Sequence, residues 1–127
     1  MQTCLVIDES PVVRKIAWRI LSLSGYRPET AGNIEEAEKV LADLEHLDIA
    51  IVSATLPDEP VEAAIRRLKA HPHAAGCVVL ASLVEANLGL MTRSKRAGAA
   101  GFTYRPFDRE SLAGWLKPYS QARSEPA

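Results

Sequence analysis

Five polar side chains at four separate places carry the chemistry of this sequence: the adjacent pair Asp8-Glu9, then Ser53, Ser82 and Arg105. Glu9 and Ser53 are 44 residues apart, and Ser53 and Arg105 are 52 apart. An acidic pair offers oxygen ligands to a divalent cation, and Mg²⁺ usually takes one or two carboxylates plus phosphate oxygens and waters. A serine hydroxyl hydrogen-bonds readily but needs a base to become a good nucleophile. A guanidinium is a permanent cation whose fork fits a carboxylate or a phosphate. These groups act together only if the fold gathers them.

The elements that would gather them read as alternating strands and helices. Thr3–Ile7 is a continuous apolar run, as expected of a strand buried on both faces. Ser10-Pro11 opens a helix with apolar positions Val13, Ile16, Ile20 and Leu23, ended by Gly25. Tyr26–Ala31 is a weaker strand whose Pro28 places it at an edge. Asn33 and Glu36 form an Asx capping box before a helix carrying Ala37, Val40, Leu41 and Leu44. The third strand is Ile49–Val52, followed by a helix over Pro60–Ala70. The fourth strand is Cys77–Ala81, followed by a helix over Glu85–Ala97 and Gly98. Phe102–Tyr104 is a fifth strand, and Asp108 caps a last helix with Leu112, Trp115 and Leu116 at the core. This (βα)5 order implies an α/β, doubly wound parallel sheet with right-handed crossovers. Such sheets collect functional groups at the carboxyl ends of their strands, where Asp8-Glu9, Ser53, Ser82 and Arg105 fall.

Composition agrees with one globular domain. The 127 residues are 47% hydrophobic and 24% charged, with a net charge of −1. That balance gives no bulk electrostatic case for DNA or membrane binding. No apolar run reaches the roughly 20 residues that span a bilayer. The first residues carry no basic region or cleavage site of a signal peptide, so a cytoplasmic location is expected. Cys4 and Cys77 sit in apolar runs and read as reduced core residues. Residues 1–120 form the domain, and the polar, aperiodic 121–127 reads as a flexible tail.

The sequence resembles a receiver domain of a two-component response regulator over residues 3 to about 120. VIDESPVVRKI is similar to the opening strand, acidic pair and first helix; DIAIVSATLP to the strand, phosphoacceptor and Pro-containing loop. VVLAS is similar to the fourth strand and its hydroxyl, and AGAAGFTYRPF to the Ala-Gly-Ala segment, switch aromatic and Lys-Pro-Phe signature. The resemblance implies the flavodoxin-like strand order 2-1-3-4-5. It implies metal-binding positions at Asp8 and Glu9, a phosphoacceptor position at Ser53, and switch and pocket positions at Ser82, Phe102, Arg105 and Pro106. The Arg105-Pro106 bond matches one that is typically cis in the family.

Departures from that pattern decide the functional expectation. An ordinary receiver accepts a phosphoryl group on an Asp where this chain has Ser53, a neutral group and a poor metal ligand. Asp58, in the following loop, is a turn residue or a substitute acceptor; Asp48 begins the same strand and lies at the wrong end of the sheet. Arg105 replaces a Lys, and either points to solvent or pairs with Asp8 or Glu9 as a built-in cation. Two carboxylates and one Arg carry −1 in place of the family's −2, so no cofactor is required and any Mg²⁺ binding is weak. Ser82 is the preferred match to the family hydroxyl, with Leu83 one residue away as the other count. Phe102 lacks a hydroxyl and could simply pack.

The resemblance also implies partner surfaces. Helix one offers Trp18 with Arg14, Lys15 and Arg19, a face that histidine kinases and phosphotransfer domains use in ordinary receivers. The face of helix four, strand five and helix five offers Met91, Arg93, Lys95, Arg96, Tyr104, Trp115 and Tyr119, with a homodimer as one use of it. Trp115 is either such an anchor or core. No DNA-binding or enzymatic domain is expected beside the receiver-like one. The expected function is a phosphorylation-independent protein-interaction module, not an enzyme, in two-component signal transduction. Two alternatives stand beside it: a phosphoacceptor using Ser53 or Asp58, and a sensor binding an anionic nucleotide at Arg93–Arg96.

Overall fold

A computed structural model describes residues 1–120; the expected tail, 121–127, lies outside the described residues. Five parallel strands, β1 (Thr3–Ile7), β2 (Arg27–Ala31), β3 (Ile49–Ser53), β4 (Val78–Leu83) and β5 (Gly101–Tyr104), form one sheet in the order β2-β1-β3-β4-β5. This is the flavodoxin-like order that the family resemblance implied. The run of apolar residues in β1 and β3 has its reason here: both strands are central, and every residue of each is buried. Pro28 is tolerated because β2 is an edge strand paired on one side only.

Helices cover both faces. α1 (Pro11–Leu23) and α5 (Arg109–Leu116) bury Ala17, Ile20, Leu21, Leu112 and Leu116 against Cys4, Val6, Ile49, Ile51 and Leu80. On the other face, α2 (Ile34–Ala42), α3 (Val61–Lys69) and α4 (Leu88–Ala97) pack on Leu5, Ile7, Ala50, Val52 and Val79. Alternate residues of a strand share a face. Asp8, Ser53, Ser82 and Thr103 therefore continue the α1/α5 side of β1, β3, β4 and β5 where each strand ends. Between β1 and β3 the connections diverge to opposite sides of the sheet, and the resulting crevice is where such folds place their sites.

Several local expectations change. Ile16 and Leu23 are exposed, at 42% and 57%, because only Ala17, Ile20 and Leu21 of α1 turn fully inward. Helix α4 starts at Leu88, three residues later than Glu85, because the Asn87 side chain caps it by accepting from Leu90 N at 3.0 Å. Strand β4 runs over Val78–Leu83, one residue later at its start and two later at its end than the apolar pattern suggested. Asn33 accepts from Glu36 N at 2.8 Å, but the Glu36 carboxylate accepts from Gly32 N at 2.7 Å, one residue beyond the Asn33 N–H that a true capping box would use. Gly98 ends α4 at a φ of 117°, a left-handed conformation that glycine adopts without strain. Both cysteines are buried and free, and burial pushes the Cys77 thiol up to about 11.

Candidate functional site

Asp8 is positioned first by its own chain. It follows β1 directly and is 1% exposed. Its Oδ1 accepts from Ser10 N at 2.8 Å, while Arg14 Nη1 donates to its carbonyl at 2.6 Å. Ser10 in turn caps α1, its Oγ accepting from Val13 N at 3.2 Å. The acidic residue is thus built into the turn that starts the helix.

Arg105, just past β5, reaches back over the strand ends. Its Nη1 lies 3.3 Å from Asp8 Oδ2 and 3.8 Å from Glu9 Oε2. Its Nη2 donates to the Ser82 carbonyl and to Thr55 Oγ1, both at 3.2 Å. The side chain is 9% exposed, so it pairs with the acids and does not point to solvent. Of the two readings the sequence allowed, the paired one holds. The Arg105-Pro106 peptide is cis.

Ser53 and Thr55 close the network on Glu9. Ser53 Oγ donates to Glu9 Oε1 at 2.7 Å, and Thr55 Oγ1 donates to Glu9 Oε2 at 2.6 Å. Thr55 N donates to Ser53 Oγ at 3.1 Å, an ST-turn that bends the chain as it leaves β3. Each hydroxyl has one proton, and with both on Glu9 the 3.1 Å approach of Ser53 Oγ to Thr55 Oγ1 is a contact between acceptors. Sequence reasoning did not single out Thr55. The available signal was a second hydroxyl two residues after Ser53, the spacing at which such a turn folds back.

The two carboxylates respond in opposite senses. Burial pushes the Asp8 carboxyl up, against the lowering effect of Ser10 N and Arg105. Burial also raises Glu9, but the hydrogen bonds from Thr55 and Ser53, with Arg105, outweigh it and hold Glu9 below the ordinary range. Glu9 therefore contributes stability that is present above its unfolded value of roughly 4.3 and is lost as pH falls through its lower folded value. Asp8 contributes the reverse: its share is present below its unfolded value and is lost as pH rises through its higher folded value. Accordingly, Glu9→Gln should lose less stability than the wild type on acidification below about pH 4.5. Urea unfolding at a series of pH values measures this, and parallel curves for the two proteins would contradict it.

Ser82 is buried and is the Cα partner of Ser53 across β3 and β4, so Ser82, not Leu83, shares its face. Phe102 is half-buried and packs on the α2–α4 core side. Asp58 is exposed and joins none of these side chains; Asp48 accepts from Thr3 N at 2.8 Å at the other end of the sheet. Trp18 is 51% exposed. Trp115 is half-buried, its ring edge-to-face with Tyr104 at 5.9 Å. Met91 is half-buried against the core, and Arg93 is tied to Glu62 at 3.4 Å, whereas Arg96 is exposed.

Residues 4–117 match the family model described as the response regulator receiver domain. The regulatory protein AtoC of Escherichia coli (strain K12) is 22% identical over 108 residues, covering 85% of this chain and 23% of AtoC, so the chain spans about a quarter of that relative. The chemotaxis protein CheY4 of Vibrio cholerae superposes with a TM-score of 0.87 at 22% identity, covering 94% of this chain and 99% of that one. The receiver domain of the sensor histidine kinase PA1611 from Pseudomonas aeruginosa PAO1, solved with magnesium coordinated in its active-site cleft, gives a TM-score of 0.78 at 21% identity. It covers 93% of this chain and 96% of its own.

Proposed function

The chain belongs to the response regulator receiver domain family, and from that premise we propose that it is a two-component interaction module that works without accepting a phosphoryl group. One observation carries this reading. The side chain ending β3 is a fully buried serine whose hydroxyl is committed to Glu9, with Arg105 drawn in over both carboxylates. A nucleophilic serine needs a base, and a carboxylate held below its ordinary range is a weak one.

The residues present do not fit a divalent cation well. Asp8 Oδ1 is engaged by Ser10 N and Oδ2 by Arg105, while both Glu9 oxygens accept hydroxyl protons. A metal would have to displace a guanidinium that already supplies positive charge there. Arg105 thus acts as the resident cation, and the site keeps one conformation as a hydrogen-bonded relic of the family pocket.

Partners of such a module are the kinases, phosphotransfer proteins and regulators that receiver domains contact. The α1 surface supports this role. Val12, Ile16, Trp18 and Leu23 are all exposed there, beside Arg14, Lys15 and Arg19 and with no acidic residue in the helix. An exposed Trp among cations suits a partner that presents apolar and acidic groups together.

The test is intact mass after incubation with acetyl phosphate and Mg²⁺. Unchanged mass is expected. A phosphoryl adduct would overturn the reading, and peptide mapping would then assign it to Ser53, Asp58 or another carboxylate.

A further inference from the structure

Three side-chain atoms at the strand ends of the site are buried and have no hydrogen-bond partner among the described residues: Ser82 Oγ, Thr103 Oγ1 and Arg105 Nε. Such groups are costly to leave unpaired. The sheet brings two of them to one place. Ser82 and Thr103 are Cα partners across β4 and β5, so their side chains share a face. The Arg105 guanidinium that carries Nε also donates through Nη2 to the Ser82 carbonyl at 3.2 Å. Ser82 and Thr103 are 1% and 0% exposed, which closes the spot to bulk solvent.

Charge selects the ligand. An anion would lie beside Asp8 and Glu9, which already share this guanidinium at 3.3 and 3.8 Å. A metal cation would face the guanidinium itself. A neutral molecule that both donates and accepts fits, and a buried water typically makes about three hydrogen bonds to otherwise unpaired groups. It can accept Nε–H and one hydroxyl proton, and donate to the other hydroxyl.

We propose that Ser82, Thr103 and Arg105 together hold one internal water molecule, through which Thr103 acts as a positioning residue for the Arg105 guanidinium. The water fixes the third edge of the guanidinium plane, whose other two nitrogens serve Asp8, Thr55 and the Ser82 carbonyl. The proposal rests on the reading of Arg105 as the resident cation.

Nitrogen-15 NMR of the arginine Nε–H groups tests it in the whole chain. The wild type should show a slowly exchanging Arg105 Nε–H with a nuclear Overhauser contact to a long-lived water. Thr103→Val should abolish that contact and speed Nε–H exchange at least tenfold, whereas Thr103→Ser, which keeps the hydroxyl, should retain both. Fast exchange without a water contact in the wild type would overturn the proposal, as would a water contact that persists in Thr103→Val. Should the valine variant fail to fold, the wild-type spectrum and the serine variant still decide it. A phosphoryl adduct in the mass experiment would overturn the functional reading alone, so the two failures are distinguishable.

Discussion

Replacing Arg105 by alanine should lower stability by about 3 kcal/mol and should make the remaining stability sensitive to Mg²⁺. The magnitude follows from burial. Asp8 is 1% exposed and Arg105 9%, so removal of the cation leaves a carboxylate with no access to water in exchange. Breaking a buried pair from one side costs about 3–5 kcal/mol, and the low end applies because Glu9 is 31% exposed and partly solvated. Asp8 has one escape, which is protonation. Its carboxyl is already raised by burial, and loss of Arg105 removes one of the influences that lowers it. The deficit should therefore shrink as the pH is lowered, because the uncompensated charge is present only above the Asp8 pKa. Mg²⁺ at millimolar concentration should recover part of the loss, since a ligand that binds only the folded state stabilises it by mass action. Wild type should respond little. Urea midpoints at two pH values, with and without Mg²⁺, measure all of this. An alanine variant as stable as wild type would remove Arg105 from the role of resident cation.

The sequence made Arg105 conspicuous but could not place its guanidinium. The alternation of strands and helices and the placement of the site were legible because they rest on periodicity: Cys4–Ile7 of β1 and Ile49–Val52 of β3 are apolar and central, and each functional residue lies at or just past a strand end, whereas the strand order came from the family resemblance. The α1 surface was misread for the same reason in reverse. Ile16 and Leu23 keep helical spacing with Val13 and Ile20, yet a helix on an open sheet buries a narrow stripe, and both fall outside it. The early start expected for α4 came from helix-tolerant residues at Glu85 and Ala86, whereas the Asn87 side chain sets the actual boundary. Thr55 and Thr103 escaped notice because neither has a motif of its own. Thr55 matters through a turn that returns it to Glu9, and Thr103 through a register with Ser82 that no local pattern encodes.

Substituting Ser53 by aspartate should reverse the charge logic of the pocket. The serine hydroxyl lies 2.7 Å from Glu9 Oε1 and is fully buried, so a carboxylate there would face Glu9 at close range, with Asp8 across the crevice. The formal charge of the group falls from −1 to −2, counting Asp8, Glu9 and Arg105 with and without the new carboxylate. Two unit charges about 4 Å apart at an effective dielectric of about 20 interact by roughly 4 kcal/mol before desolvation. Without metal that repulsion is destabilising; with a divalent ion the same charge becomes attraction. Ser53→Asp should therefore be less stable than wild type in chelator, and should bind Mg²⁺ at least about tenfold more tightly, a difference of about 1.4 kcal/mol. A carboxylate is ionised at neutral pH and needs no base, so this variant, unlike wild type, should also gain mass from acetyl phosphate in Mg²⁺. Adding Arg105→Lys should strengthen the metal response further, because a lysine keeps the charge but cannot fork across Asp8 and Thr55 as the guanidinium does. Calorimetric titration with Mg²⁺ separates the outcomes. Tighter binding in both variants would mean that one residue separates this pocket from a metal-dependent acceptor. Binding no tighter than wild type would mean that the Thr55 turn and the Arg105 clamp have reshaped the pocket beyond repair by charge alone.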